Sequence, residues 1–170
     1  QNKPSIMATR ATSFSYIFET VLDFHPNHYS ESAGSGLYYD SNNWLYARLY
    51  WSESLNSITL GVLQAKLGER IEYVHHKISI RDGHISLKFV YDYGLAKVFY
   101  KIKESEPWQT LVDKMDVSYL SDEGVNGEPG EIGGFTGLFN FIGAIDAHQH
   151  DSFADFSYYR VVNNEKKNNR

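Results

Sequence analysis

Between Ser13 and Phe24 the chain has a period of two. Even positions read Phe14, Tyr16, Phe18, Thr20, Leu22 and Phe24, while odd ones include Ser13, Ser15, Glu19 and Asp23. A period of two held over this length has no helical stripe in it and describes a long, half-buried β-strand. Such a strand obliges the chain to supply lateral partners and a second layer, because a sheet with one apolar face must bury that face against another element. The rest of the sequence supplies both. "GLYYDSNNWLYARLYW" reads as a hairpin turning through Asp40-Ser41-Asn42-Asn43. "SITLGVLQAKLGERIEYVHHKISI" reads as strands, since β-branched Ile58, Thr59 and Val62 crowd its start and Gly68 interrupts any helical face. Asp82-Gly83 marks a tight turn, after which Ile85, Leu87, Phe89 and Tyr91 share one face, and "LAKVFYKIKES" returns past Tyr93-Gly94. The expectation is an all-β, two-sheet antiparallel β-sandwich over residues 10–162, with a lead-in at 1–9 and a polar, fraying tail at 163–170. At 170 residues there is enough chain for one core and too little for two.

Charge narrows the partners. With 16 basic and 21 acidic residues the net charge is −5, and no Lys/Arg run occurs outside the terminal "EKKNNR". Nucleic acid and membrane surfaces are therefore disfavoured. No apolar run approaches the ~20 residues of a membrane helix. The absence of cysteine excludes disulfides and thiolate chemistry. "QNKPSIMATR" lacks the layout of a signal peptide, so a cytoplasmic location is expected. Thirteen Tyr, 10 Phe and 3 Trp suit cross-strand packing. Among them Trp44, Tyr46, Tyr50 and Trp108 would form a sugar-stacking platform if exposed.

The residues offer little self-contained chemistry. His148-Gln149-His150-Asp151, with Asp146 nearby, has metal-ligand residue types, but a polar loop collects these for solvation alone; His75 and His76 are adjacent and face opposite sides of a strand. No metal site or cofactor is expected, a loop calcium site being the one exception entertained. Glycoside hydrolysis needs two carboxyl groups facing one sugar. Here Glu69 and Glu72 fall on opposite strand faces, Glu19 stands among aromatics, and Asp122, Glu123 and Glu128 lie in a loop. No nucleophile triad, phosphate loop or dinucleotide fingerprint occurs, so no catalytic residue is expected. The unusual feature is an acidic, glycine-rich stretch ending in Gly133-Gly134-Phe135-Thr136-Gly137. From the residues alone, Phe135 reads as the start of a core strand alternating with Gly137, Phe139 and Phe141.

Five segments, "PSIMATRATSFSYIFETVLDF", "AGSGLYYDSNNWLYARLYW", "DVSYLSDE", "GGFTGLF" and "ADFSYYR", taken in order, resemble the C-terminal concanavalin A-like domain of family 43 β-xylosidases. The resemblance runs over about residues 4 to 161. It implies a concanavalin A-like sandwich, a jelly roll, that follows a five-bladed catalytic propeller. In such enzymes the propeller holds the catalytic acids and removes xylose or arabinose from xylo-oligosaccharides or arabinose-substituted substrates. A loop of the sandwich carries an aromatic residue to the propeller's pocket, and the resemblance places Phe135 in that role, flanked by Gly134 and Thr136. Glycines permit the close approach, and an aromatic face excludes water from a sugar pocket. Three readings follow: an accessory domain of a family 43 glycosidase, a freestanding carbohydrate-binding module, and a sandwich glycosidase in its own right. The first is the leading one.

Overall fold

The computed structural model describes residues 4–73, 76–120, 137–147 and 153–164. Among these residues, twelve strands form two antiparallel sheets: β1 (Ser5–Arg10), β2 (Ser15–Phe24), β3 (Glu31–Asp40), β4 (Asn43–Ser52), β5 (Ser57–Lys66), β6 (Glu69–Glu72), β7 (Ile78–Ser79), β8 (His84–Asp92), β9 (Leu95–Lys101), β10 (Gln109–Asp116), β11 (Phe139–Asp146) and β12 (Ala154–Asn163). The seven-stranded sheet runs β1-β11-β3-β4-β5-β6, with β7 also on β5, and the five-stranded sheet runs β10-β9-β8-β2-β12. No α-helix occurs among the described residues; a 3-10 turn spans Ser118–Leu120.

The alternation of β2 becomes the floor of the core. Tyr16, Phe18, Thr20, Leu22 and Phe24 are all buried, and the first four stand in register with Tyr91, Phe89, Leu87 and Ile85 of β8. Phe18 stacks on Phe89 at 5.7 Å between ring centres and tilts against Tyr159 of β12 at 5.0 Å. Across the sandwich Leu37, Leu45, Ala47, Leu49, Leu60 and Val62 fill the facing layer. A polar contact crosses this apolar interior, between the Thr20 and Ser35 hydroxyls at 2.9 Å. Two buried hydroxyls satisfy each other there and fix how the sheets face one another.

The turns follow their chemistry. Asp40 Oδ1 accepts from the Asn42 amide at 2.8 Å and from Asn43 Nδ2 at 3.0 Å, closing the β3–β4 hairpin. Tyr93 and Gly94 have φ of 42° and 84° between the paired residues Asp92 and Leu95, the left-handed pair that a two-residue hairpin demands. Asp82-Gly83 behaves differently. Its flanking strands belong to different sheets, β7 to the larger and β8 to the smaller. The turn therefore crosses the sandwich, and the Gly83 carbonyl accepts from the Phe24 amide at 2.9 Å. Residues 5–9 of the expected lead-in, together with Arg10, pair with β11 as the edge strand β1.

Candidate functional site

Phe135, Gly134 and Thr136 lie outside the described residues, as do His75 and His148–Asp151. The two points from which the Phe135 segment springs are described. On the entering side, the Ser118–Leu120 turn packs against β3 and β4, and the Tyr119 hydroxyl donates to the Trp44 carbonyl at 3.4 Å. Burial, chiefly, pushes the Tyr119 pKa up. The Asp116 carboxylate precedes the turn and accepts from the Ser118 amide at 2.9 Å. Hydrogen bonds from Ser118 hold its pKa below the usual value. On the leaving side, Gly137 has φ of 68°, and the Leu138 carbonyl accepts from the Ala11 amide at 2.7 Å. Phe139 then pairs with Tyr38 near the same hairpin end. Both anchors thus stand at the β3–β4 end of the sandwich.

Beside these anchors the outer face of the larger sheet is aromatic. Strand β4 turns Leu45, Ala47 and Leu49 inward, so Trp44, Tyr46, Arg48 and Tyr50 face outward. Register places Tyr38 beside Trp44, and Gly36 between Tyr46 and Phe141. Where strands β3, β5 and β11 present glycine on this face, the neighbouring rings occupy the space. Tyr46 and Phe141 lie 5.6 Å apart, and the Arg48 guanidinium sits 4.3 Å from the Tyr50 ring centre. An apolar groove of about 190 Å³ results, lined by Pro4, Ile6, Tyr38, Trp44, Tyr46 and Phe141 among others. Burial pushes the Tyr46 phenol up to about 12, with the Ser32 hydroxyl and the Arg48 charge acting in the opposite direction.

The four aromatics named from sequence therefore separate. Trp44, Tyr46 and Tyr50 share the outer face of the larger sheet, but Tyr46 and Tyr50 are each only 7% exposed and Trp44 is half-buried, its indole N–H reaching the Ser41 carbonyl at 3.3 Å. Trp108 is on the opposite side of the molecule, over the outer face of the five-stranded sheet. Tyr38 and Phe141, which complete the groove, were not singled out from sequence as members of a site. Their signal is cross-strand register, and register is not written in a single strand.

The carboxylates have structural neighbours. Glu19 stands in register between Lys88 and Arg160, and Asp23 Oδ1 lies 2.8 Å from His84 Nδ1. The buried Glu31 accepts from the Asn27 amide at 3.0 Å. Among the described residues no three metal-ligating side chains converge on one point.

Residues 1–162 match the family model of the β-xylosidase C-terminal concanavalin A-like domain. The chain is 24% identical over 168 residues to a β-xylosidase of Bacillus subtilis (strain 168), spanning 92% of this chain and 28% of that protein. It is 30% identical over 159 residues to a xylosidase/arabinosidase of Humicola insolens, spanning 91% and 29% respectively. The crystal structure of a xylan β-1,4-xylosidase from Bacillus halodurans superposes with a TM-score of 0.84 at 26% identity, over 94% of this chain and 30% of the other. A GH43 protein of Bacillus licheniformis superposes at 0.77 with the same identity, over 92% and 29%. The chain thus spans less than a third of the length of each of these relatives. By sequence match and by two-sheet architecture alike, it belongs to the family of β-xylosidase C-terminal concanavalin A-like domains.

Proposed function

We propose that this chain is the accessory sandwich of a family 43 glycosidase: non-catalytic by itself, it packs on a catalytic propeller and lends Phe135 as a wall of the substrate pocket. The observation that carries this reading is the position of the two anchors. Leu120 and Gly137, the described residues on either side of the segment bearing Phe135, stand at one end of the sandwich, beside an apolar groove formed by Tyr38, Trp44, Tyr46 and Phe141. An apolar strip at that end suits a neighbouring domain, since exposed apolar surface on a soluble domain is commonly an interaction surface. The propeller would supply the acids that cleave xylose or arabinose from short xylan fragments; the sandwich would exclude water and limit the pocket's depth.

The test is Phe135→Ala in the polypeptide that joins this chain to its propeller. Removing a pocket wall is expected to lower kcat/KM on xylobiose by about tenfold, equivalent to ~1.4 kcal/mol of transition-state binding. Thermal unfolding of the sandwich should stay put. The fully buried Phe18 is the contrast, because its truncation to Ala costs about 3–5 kcal/mol of stability with no route to the pocket. Unaltered kinetics for Phe135→Ala, or a melting loss like that of Phe18→Ala, sinks the proposal.

A further inference from the structure

The outer face of the five-stranded sheet carries a trough whose cause is legible in the register. Three cross-strand rows lie side by side on that face. The middle row runs Lys101–Ser86–Val21–Tyr158, from β9 through β8 and β2 to β12. On one flank stand Lys88, Glu19 and Arg160, and on the other His84 and Asp23. Two short side chains, Ser86 and Val21, thus form a floor between rows of longer ones. The space above them is about 470 Å³. Four neighbouring strands make it ~14 Å across.

Aromatic side chains stand at its two ends. Trp108, half-buried, closes one; the Lys88 and Lys101 ammonium groups each lie 4.7 Å from its ring centre and fix the indole by cation–π attraction. Tyr158, 40% exposed, closes the other, beside a register shift in β12 between Phe156 and Tyr158. Bulges of this kind re-aim a side chain, often next to a site. Between the ends the walls offer hydroxyl, imidazole, carboxylate and ammonium groups at strand spacing. Charge nearly cancels around the trough. Glu19, Asp23, Asp155 and Glu104 stand against Lys88, Lys101 and Arg160, so an ionic ligand finds a surplus of a single charge at most.

We propose that this trough binds a short, neutral, β-linked oligosaccharide, independently of any propeller. Pyranose rings with equatorial substituents present C–H faces to aromatic rings and a hydroxyl rim to polar walls, which matches a trough with aromatic ends and mixed, nearly neutral sides. The choice of xylose units as a probe rests on the proposed substrate class; the neutral-glycan assignment does not.

The experiment titrates the 170-residue chain with xylohexaose and, separately, cellohexaose, following amide chemical shifts. Saturable shifts at residues of β2, β8 and β12 are expected with at least one probe. Trp108→Ala should weaken that binding about tenfold, as loss of one aromatic contact does. Val21→Tyr should abolish it by filling the floor with a residue that strands accept. Trp44→Ala, on the other sheet, should leave it unchanged. No shifts with either probe at about 10 mM, a level that detects even millimolar affinity, would overturn the proposal. So would binding that Trp108→Ala and Val21→Tyr leave intact, or binding that Trp44→Ala removes. Phe135→Ala should not affect the titration, so this assignment and the pocket-wall reading fail separately.

Discussion

A Cβ added to Gly36 would fall 1.9 Å from the Leu45 carbonyl oxygen and 2.9 Å from Phe141 Cε1. The carbonyl belongs to β4, the partner strand, and cannot retreat without loosening the ladder that aligns Gly36 with Tyr46. Gly61, on the same outer face, gives a different collision: its added Cβ would meet Tyr50 Cε1 at 2.9 Å, and its three nearest neighbours are all atoms of that side chain. A side-chain ring edge can shift where a ladder carbonyl cannot. Gly36→Ala should therefore cost about 3 kcal/mol, the upper end of what overpacking exacts. For a domain of this size that is a fall in Tm of roughly 6–12 °C. Gly61→Ala should stay within about 1 kcal/mol of the parent. Its small steric cost is offset by the ~0.4–1 kcal/mol that a Gly→Ala change contributes by restricting the unfolded chain. Thermal and urea unfolding of the two variants under one buffer decide the matter. A Gly36→Ala protein that melts with the parent, or a Gly61→Ala protein that melts lower than Gly36→Ala, refutes the claim that the backbone carbonyl is the rigid partner.

Thr20→Val leaves the Ser35 hydroxyl without its partner in the core and should cost about 1–3 kcal/mol, whereas Thr20→Val with Ser35→Ala should recover part of the loss; a double variant no more stable than the single one contradicts this. High pH should also unfold the protein. Tyr16, Tyr46 and Tyr119 have phenol pKa values raised chiefly by burial, Tyr46 to about 12. The folded chain keeps these protons where the unfolded chain releases them near pH 10, so their contribution is complete below about pH 10 and is lost above it. Tyr46 alone should account for a loss on the order of 2 kcal/mol by pH 12, and a urea midpoint that holds constant from pH 9 to about pH 11.5 would contradict it.

The strands that alternate cleanly were legible before any coordinates. Strand β2 and much of β8 alternate between buried and part-exposed positions, while the β3–β4 hairpin and the Tyr93-Gly94 turn are marked by their turn residues. Three strands escape for separate physical reasons. All six residues of β1 are exposed, so it has no buried face and no period to read. In β10 two register shifts put Leu111 and Val112 both inside, with Lys114 at φ 56°, and the alternation is broken. In β12 the shift at Phe156/Tyr158 does the same. The candidate site divides along similar lines. Phe135 was named through the ordered motifs and their family resemblance; Tyr38 joins Trp44 through the register of one hairpin, and Phe141 joins them only through the pairing of β11 with β3, about 100 positions away. Likewise, Ser86, Val21 and Tyr158 are unremarkable alone and become a trough floor and end only when β8, β2 and β12 are set in register.

The pairing of β2 with β12 has a consequence for how the chain is made. Residues Tyr16 and Asn163 are partners, as are Phe24 and Ala154, so β2 is synthesised about 130 residues or more ahead of the strand that completes its edge. Strand β1 waits similarly for β11, and the Thr9 and Tyr159 hydroxyls join the two sheets at that edge. A nascent chain that has emerged only through β10 can form the β8–β2 ladder, yet it leaves the far edge of β2 as a bare row of amides and carbonyls. Such edges recruit foreign strands, and topologies of this long-range kind close slowly. The hazardous period for this sandwich is therefore the interval on the ribosome between β2 and β12, when aggregation competes with completion of the smaller sheet.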